Sequence, residues 1–179
     1  MADIDRDGPP RGVLIAALVI AVAAIGTVLA IAAVREPVAT PVAIAAAPAP
    51  QADGPDCGRL YDALPDRLGE YRRATTVEPT PVGAAAWQAE PGGEPVILRC
   101  GLDRPVDFVV GAPLQLVDAV QWFRVSDPSG ALTTWFAVDR SVYVALTLPA
   151  GSGPSPIQEL SATITKTLPA EQLDPGAPR

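Results

Sequence analysis

The chain of 179 residues has no histidine, one lysine and two cysteines. Without histidine it lacks the commonest general base and the commonest metal ligand. Sites that need a Ser-His or Cys-His pair, and zinc sites that need four Cys and His ligands, are therefore excluded. From this inventory we expect no enzymatic activity, no cofactor and no bound metal.

Basic residues are scarce as well. The formal net charge is −7 and the pI is about 4.5. Proteins that bind nucleic acid carry a basic patch or stripe, and no cluster of basic residues stands out along this sequence. A nucleic acid partner is therefore not expected.

A charge-free apolar segment occupies residues 13–34. At about 1.5 Å per residue, a helix of this length spans about 33 Å, enough to cross a hydrocarbon core of about 30 Å. Arg6 and Arg11 precede the segment and only Arg35 closely follows it, a bias that places the N terminus inside. The sequence predicts a single-pass protein of the plasma membrane, with a cytoplasmic tail of residues 1–12 and an extracytoplasmic C-terminal domain.

Cleavage of the apolar segment is the alternative. Ala30 with Ala32, and Ala45 with Ala47, fit the small-residue pattern of a signal peptide cleavage site. The apolar region of a signal peptide is about 7–15 residues long, however, and this segment is longer. We therefore expect an anchor that is not cleaved.

The sequence next to the apolar segment is rich in proline and alanine. Residues 35–56 favour extended polyproline II segments and are predicted to be a disordered spacer. Residues 170–179 are polar and contain proline, and we expect a disordered tail. The folded domain is thus predicted to span residues 57–169.

Cys57 and Cys100 both follow the apolar segment. In an oxidising compartment, a lone pair of cysteines beyond a membrane anchor usually forms a disulfide, and we expect one here. Two reduced buried thiols and a redox-active pair are the alternatives, although a redox pair usually has a C-x-x-C spacing.

Hydrophobic periodicity predicts an α+β fold. Apolar residues at i, i+3, i+4 and i+7 indicate a short helix from Cys57 to Leu64, and a second amphipathic helix is predicted to start with a capping box at Ser155. Between them, a single antiparallel sheet of about five to six strands is expected. Its predicted strands are residues 71–77, 84–89, 96–101, 120–126, 131–138 and 141–148.

Two turns set the predicted register. A four-residue turn at 127–130 would place Trp122 opposite Trp135, and a tight turn near Asp139 would pair Ala137 with Val142. Both tryptophans then share a face with the alternating aliphatic residues of the last strand. The opposite face would carry Phe123, Phe136 and Tyr143. Because two helices are too few to cover both faces, these three residues form a candidate binding face.

Three further sets of residues are candidate sites. Arg99 and Arg104 flank Cys100 and are a candidate anion contact, with a surface ion pair as the alternative. The three tryptophans could form a platform for a sugar or a peptide, although packing in the core explains them as well. Two carboxylate pairs, Asp103 with Asp107 and Asp118 with Asp139, are the only candidates for acid/base catalysis.

The segments Leu98-Arg99-Cys100-Gly101 and Val120-Gln121-Trp122 are the most specific parts of a wider likeness over about residues 57–168. In these segments the chain resembles an actinobacterial family of small membrane-anchored or secreted proteins, catalogued as a domain of unknown function. The resemblance implies a location in the cell envelope and paired cysteines. It implies no activity.

We therefore expect a membrane-tethered, non-catalytic module that binds an envelope protein or polymer. One alternative is a carboxylate-dependent hydrolase of envelope glycans, which a pocket with paired inward carboxylates would favour. The other is a carrier of an apolar ligand such as a lipid, which a deep apolar cavity would favour.

Overall fold

The computed structural model describes residues 10–34 and 40–178. The chain falls into two compact units, Met1–Val38 and Ala39–Arg179. Most of the predicted cytoplasmic tail, the first five residues of the predicted spacer and Arg179 lie outside the described residues.

Helix α1, Arg11–Val34, is the only described element of the first unit. Its segment Gly12–Ala30 has a mean hydropathy of 2.9, and none of this segment is buried. A helix of this length and composition serves either as a membrane span or as a signal peptide. The prediction of one apolar N-terminal helix is confirmed.

The second unit is built on one open antiparallel sheet, in the order β1-β2-β3-β4-β8-β7-β6-β5. Two four-stranded meanders meet where β4 pairs with β8. The strands are β1 Arg67–Leu68, β2 Tyr71–Arg73, β3 Ala84–Gln88, β4 Val96–Leu102, β5 Leu114–Val117, β6 Val120–Ser126, β7 Leu132–Ala137 and β8 Tyr143–Pro149.

The α+β class is therefore confirmed, but the sheet has eight strands and not five to six. The two additional strands are β1 and β5. Strand β1 has only two residues, too few for an alternating pattern. Strand β5 lies at an edge of the sheet with no fully buried residue, so its sequence carries little alternation.

Two helices, α2 (Pro55–Asp62) and α3 (Ser155–Thr167), cover one face of the sheet. Trp87 and Trp122 are fully buried there, and their indole N–H groups donate to the Pro65 carbonyl oxygen and to Ser161 Oγ. The predicted apolar stripe of α3 is buried in this core: Ile157, Leu160, Ile164 and Leu168.

The helix starts differ from the prediction. Helix α2 begins at Pro55, and its Tyr61 points to the surface with 44% of its area exposed. Helix α3 has Pro154 at its N-cap position and no capping hydrogen bond from a side chain. The predicted capping box at Ser155 is therefore wrong, because Ser155 already lies inside the first turn.

Both predicted hairpin registers are wrong by two residues. Trp122 pairs with Ala137, and Ala137 pairs with Val144. In the first hairpin, Gly130 adopts a φ of +73° and Leu132 is the first residue of β7, so the loop is longer than four residues. A shift of two preserves the face of every side chain. Trp122, Trp135, Val144, Leu146 and Leu148 accordingly share the helix-covered face, as predicted.

The other face of the sheet is not open. Phe123 is 6% exposed and packs against Phe108, with ring centres 5.6 Å apart. Phe136 and Tyr143 are partly buried in the same cluster. The expectation that this aromatic face is exposed is therefore wrong, because the connection between β4 and β5 folds back over it.

Segments predicted to be disordered also pack against the sheet. Val42 and Ile44 are buried, and the Val42 amide donates to the Thr75 carbonyl oxygen at 2.9 Å. Near the C terminus, the Gly176 amide donates to the Phe108 carbonyl oxygen at 2.9 Å. Residues 40–56 and 170–178 thus belong to the folded unit, because their backbone groups pair with it.

A disulfide joins Cys57 of α2 to Cys100 of β4, with a Cα–Cα distance of 5.6 Å. Both cysteines lie in the main core. The predicted disulfide is confirmed, and it fixes α2 against the centre of the sheet.

Candidate binding grooves

A groove of about 510 Å³ lies between α2 and residues 78–84, and we call it the acidic groove. Asp53, Asp62 and Glu78 line it, together with the exposed side chains of Tyr61 and Val82. The Glu78 carboxylate accepts hydrogen bonds from the Thr80 amide at 3.0 Å and the Thr80 hydroxyl at 3.2 Å. Within the described residues, none of these three carboxylates forms an ion pair.

Small residues make room for this groove. Gly58 lies in the middle of α2, and a Cβ added there would meet no atom within 4 Å. Glycine inside a helix costs about 0.5–1 kcal/mol relative to alanine. Gly58 is therefore not required for packing within the chain, and its position leaves one wall of the acidic groove open.

Arg73 contacts two aromatic rings beside the acidic groove. The Arg73 guanidinium carbon lies 5.0 Å from the centre of the Tyr61 ring and 4.8 Å from the centre of the Trp87 ring. Such contacts between a cation and two ring faces orient Tyr61 toward the groove. Tyr61 is thus held in place although it is largely exposed.

A second groove, of about 400 Å³, lies between the sheet and residues 149–154, just before α3. We call it the tryptophan groove. Its polar lining comes from Gln115, Arg124, Thr133 and Ser152, and Trp135 supplies the aromatic surface. No aspartate or glutamate is among its lining residues.

Arg124 and Trp135 are neighbours because they pair directly across β6 and β7. The guanidinium carbon of Arg124 lies 5.9 Å from the centre of the Trp135 ring. Arg124 Nε and Nη2 both donate to Ser126 Oγ, at 3.1 and 3.0 Å. These contacts fix the direction of the guanidinium group on the sheet.

The two arginines proposed as an anion contact are each tied to a different segment. Arg99 Nη2 donates to the Ala45 carbonyl oxygen at 3.2 Å, and burial lowers the pKa of Arg99. Arg104 Nη1 lies 3.1 Å from Asp174 Oδ2. Arg99 therefore holds the segment before α2, and Arg104 holds the C-terminal segment. An anion-binding role stays a prediction.

Tyr143, of the predicted binding face, is held in the same way. Its hydroxyl donates to the Asp174 carbonyl oxygen at 3.3 Å. Burial and the nearby Asp174 raise the pKa of Tyr143. Phe123 and Phe136 pack with the β4–β5 connection, and Tyr143 holds the C-terminal segment. A binding role for these three residues stays a prediction.

Asp139, one of the candidate catalytic carboxylates, is buried beside Arg140. Arg140 Nη1 lies 3.2 Å from Asp139 Oδ2, which also accepts the Gln121 amide at 3.0 Å. Burial raises the pKa of Asp139, and these two contacts oppose the increase. Neither Asp139 nor Asp118, Asp103 or Asp107 lines either groove.

Of the groove residues, Trp135 is predicted from the sequence as part of a possible platform, but Arg124, Asp53 and Asp62 are not identified there. Arg124 has the same parity as Trp122 along β6, so strand alternation places its charge on the helix-covered face. Asp53 and Asp62 gave no such signal because they lie in a predicted spacer and at a helix end. Within residues 10–34 and 40–178, no group of three His, Cys, Asp or Glu residues could hold a metal ion.

Comparison with known families matches residues 18–173, most of the chain, to the family described as protein of unknown function (DUF3515). The chain belongs to the DUF3515 family. The match covers most of α1 and nearly all of the folded unit, including both grooves and the disulfide. No curated protein and no solved structure matches this DUF3515 chain.

Proposed function

We propose that this DUF3515 protein is anchored in the plasma membrane by α1 and binds an envelope protein or polymer on the extracytoplasmic side. The disulfide is the observation that carries this proposal. Disulfides persist in oxidising compartments and are rare in the cytosol. A disulfide-linked domain after an apolar helix therefore supports an external domain, as do the arginines that precede the apolar segment.

A binding role is supported by the two grooves. Sites for small ligands are typically clefts of about 300–1,000 Å³ with a few convergent polar groups, and both grooves fall within that range. The acidic groove offers carboxylates beside exposed Tyr61 and Val82, and the tryptophan groove offers Arg124 beside Trp135. The two surfaces have opposite charge and suit different chemical groups.

The hydrolase and carrier alternatives draw on the same surfaces. A hydrolase would need two of the acidic groove's carboxylates to flank a glycosidic bond, whereas Glu78 already accepts two hydrogen bonds from Thr80. A lipid carrier would need an enclosed apolar cavity. Both grooves carry charged side chains at their surface, which favours binding of polar partners.

The anchoring half of the proposal is tested in native cells. Membranes are washed with alkaline carbonate, and intact spheroplasts are treated with a protease. We expect the full-length chain to stay in the membrane pellet and its domain to be digested from outside. A soluble mature chain that begins after Ala32 or Ala47 would show that the protein is secreted. Digestion only after lysis would show the opposite orientation.

The binding half is tested by crosslinking in the native membrane. A photoreactive amino acid at Val82, in the acidic groove, is compared with one at Val106, on the β4–β5 connection. Both side chains are well exposed, so labelling efficiency is matched. A defined partner captured from Val82 and not from Val106 is the expected result. Equal capture from both positions would contradict a specific site at the acidic groove.

A further inference from the structure

The three tryptophans differ in whether the indole N–H group has an acceptor within the protein. The indole N–H groups of Trp87 and Trp122 donate to acceptors within the protein. Trp135 is only partly buried and lines the tryptophan groove. Within the described residues, its N–H donates to no protein acceptor. Partly exposed indoles usually use this donor for a partner or for water, so Trp135 offers the groove a free donor beside apolar ring surface.

Arg124 is also available to a ligand. The ion pairs of the described residues join Arg59 to Asp56, Arg104 to Asp174 and Arg140 to Asp139, and they do not include Arg124. Its Nε and Nη2 bind only the neutral Ser126 hydroxyl, which leaves Nη1 open. In a chain of net charge −7, a fixed arginine without a carboxylate partner is an evident anion-binding group.

The remaining polar lining of the groove suits hydroxyl groups. The Gln115 amide can both donate and accept, as can the hydroxyls of Thr133 and Ser152. These groups surround the partly exposed indole of Trp135 and the guanidinium of Arg124. A ligand that uses all of them has an apolar ring face, several hydroxyls and a negative charge.

We propose that the tryptophan groove binds a saccharide that carries an anionic group. The apolar face of a sugar ring packs against Trp135, its hydroxyls bond to the indole N–H, Gln115 and Thr133, and its anionic group binds Arg124. The proposal deepens the proposed function, because an anionic sugar unit is the part of an envelope polymer that this groove would recognise.

Calorimetric titration of the full-length chain in polyoxyethylene detergent micelles tests the proposal. The probes are trigalacturonic acid, its methyl ester, galacturonic acid and glucose 1-phosphate. We expect the acidic trisaccharide to bind and its neutral methyl ester to bind at least tenfold more weakly. Tighter binding of the trisaccharide than of both monosaccharides assigns the site to a polymer. If galacturonic acid or glucose 1-phosphate binds as tightly as the trisaccharide, the ligand is a free sugar acid or sugar phosphate. That result still supports an anionic-saccharide site in the tryptophan groove.

Two variants locate the binding. Arg124→Gln removes the charge and should weaken acid binding by about tenfold or more, as loss of a charge-assisted hydrogen bond does. Arg72→Gln removes an exposed arginine on β2, outside both grooves, and should change binding less than twofold. Trp135→Phe keeps the apolar ring and removes the N–H, and should weaken both the acidic and the neutral sugar. The unfolding midpoint of each variant verifies its fold.

The proposal is overturned if no acidic saccharide binds, if the methyl ester binds as well as the acid, or if Arg124→Gln binds like the wild type. An acidic tripeptide that binds as tightly as the trisaccharide would also overturn it, because the groove would then recognise only charge. Failure here is distinguishable from failure of the proposed function, since membrane anchoring and capture at the acidic groove are measured independently.

Discussion

The disulfide between Cys57 and Cys100 should supply a large part of the domain's stability. The cysteines are 43 residues apart, and closing a loop of this size is worth about 4 kcal/mol on the chain-entropy model. A domain of this size is typically stable by only about 5–15 kcal/mol. Reduction should therefore lower the free energy of unfolding by about 4 kcal/mol, and the Cys57→Ala/Cys100→Ala variant should lose somewhat more.

The additional loss in the double variant has a separate cause. Both cysteines are buried, so replacement by alanine also removes two sulfur atoms from the core. We expect this packing loss to be about 1–2 kcal/mol in total. The reduced wild type keeps both sulfur atoms and is the matched control, since its difference from the double variant isolates packing from the effect of the cross-link.

Urea unfolding of the full-length chain in detergent, followed by tryptophan fluorescence, measures these differences. Trp87 and Trp122 are buried in the core that contains the disulfide, so their emission reports on its loss. A reduced wild type within 1 kcal/mol of the oxidised protein would refute the reasoning. It would mean that the unfolded chain is already compact enough for the cross-link to restrict it little.

Three further perturbations test the packing and the charges. Phe123→Ala should lower the free energy of urea unfolding by about 3 kcal/mol, as loss of a buried phenylalanine does. Val125 is more exposed and lies on the same strand face, so Val125→Ala should lower it by only about 0.5 kcal/mol. Equally small losses for both variants would mean that this face is open. Because burial raises the pKa of Asp139, the folded state retains a proton that the unfolded state releases, so stability should fall as the pH rises from the ordinary aspartate pKa of about 4 toward the raised one. Asp139→Asn should remove that part of the pH dependence, and an unchanged profile would contradict it. Gly58→Ala should raise the free energy of unfolding by about 0.5–1 kcal/mol, because the new methyl group meets no atom within 4 Å. A lower free energy of unfolding would mean that the helix needs glycine at this position.

The sequence determined the features that depend on local pattern or on composition. A charge-free stretch is enough to define α1, and the pair of cysteines is enough to predict their bond. The faces of β6, β7 and β8 were also predictable, although both registers were wrong by two residues. Side chains alternate with a period of two, so an error of two residues leaves each of them on the same face.

Only the tertiary structure decided what covers the second face and where the grooves lie. Phe108 and the segments near Val42 and Gly176 fold over a face that two helices leave bare. These segments carry no periodic pattern, and they are ordered by backbone hydrogen bonds and apolar contacts with residues distant in sequence. The grooves likewise form where such segments meet, so Asp53 and Glu78 line one groove and Arg124 and Ser152 line the other. Local propensity cannot determine these contacts, because each of them depends on the position of a second segment that is remote along the chain.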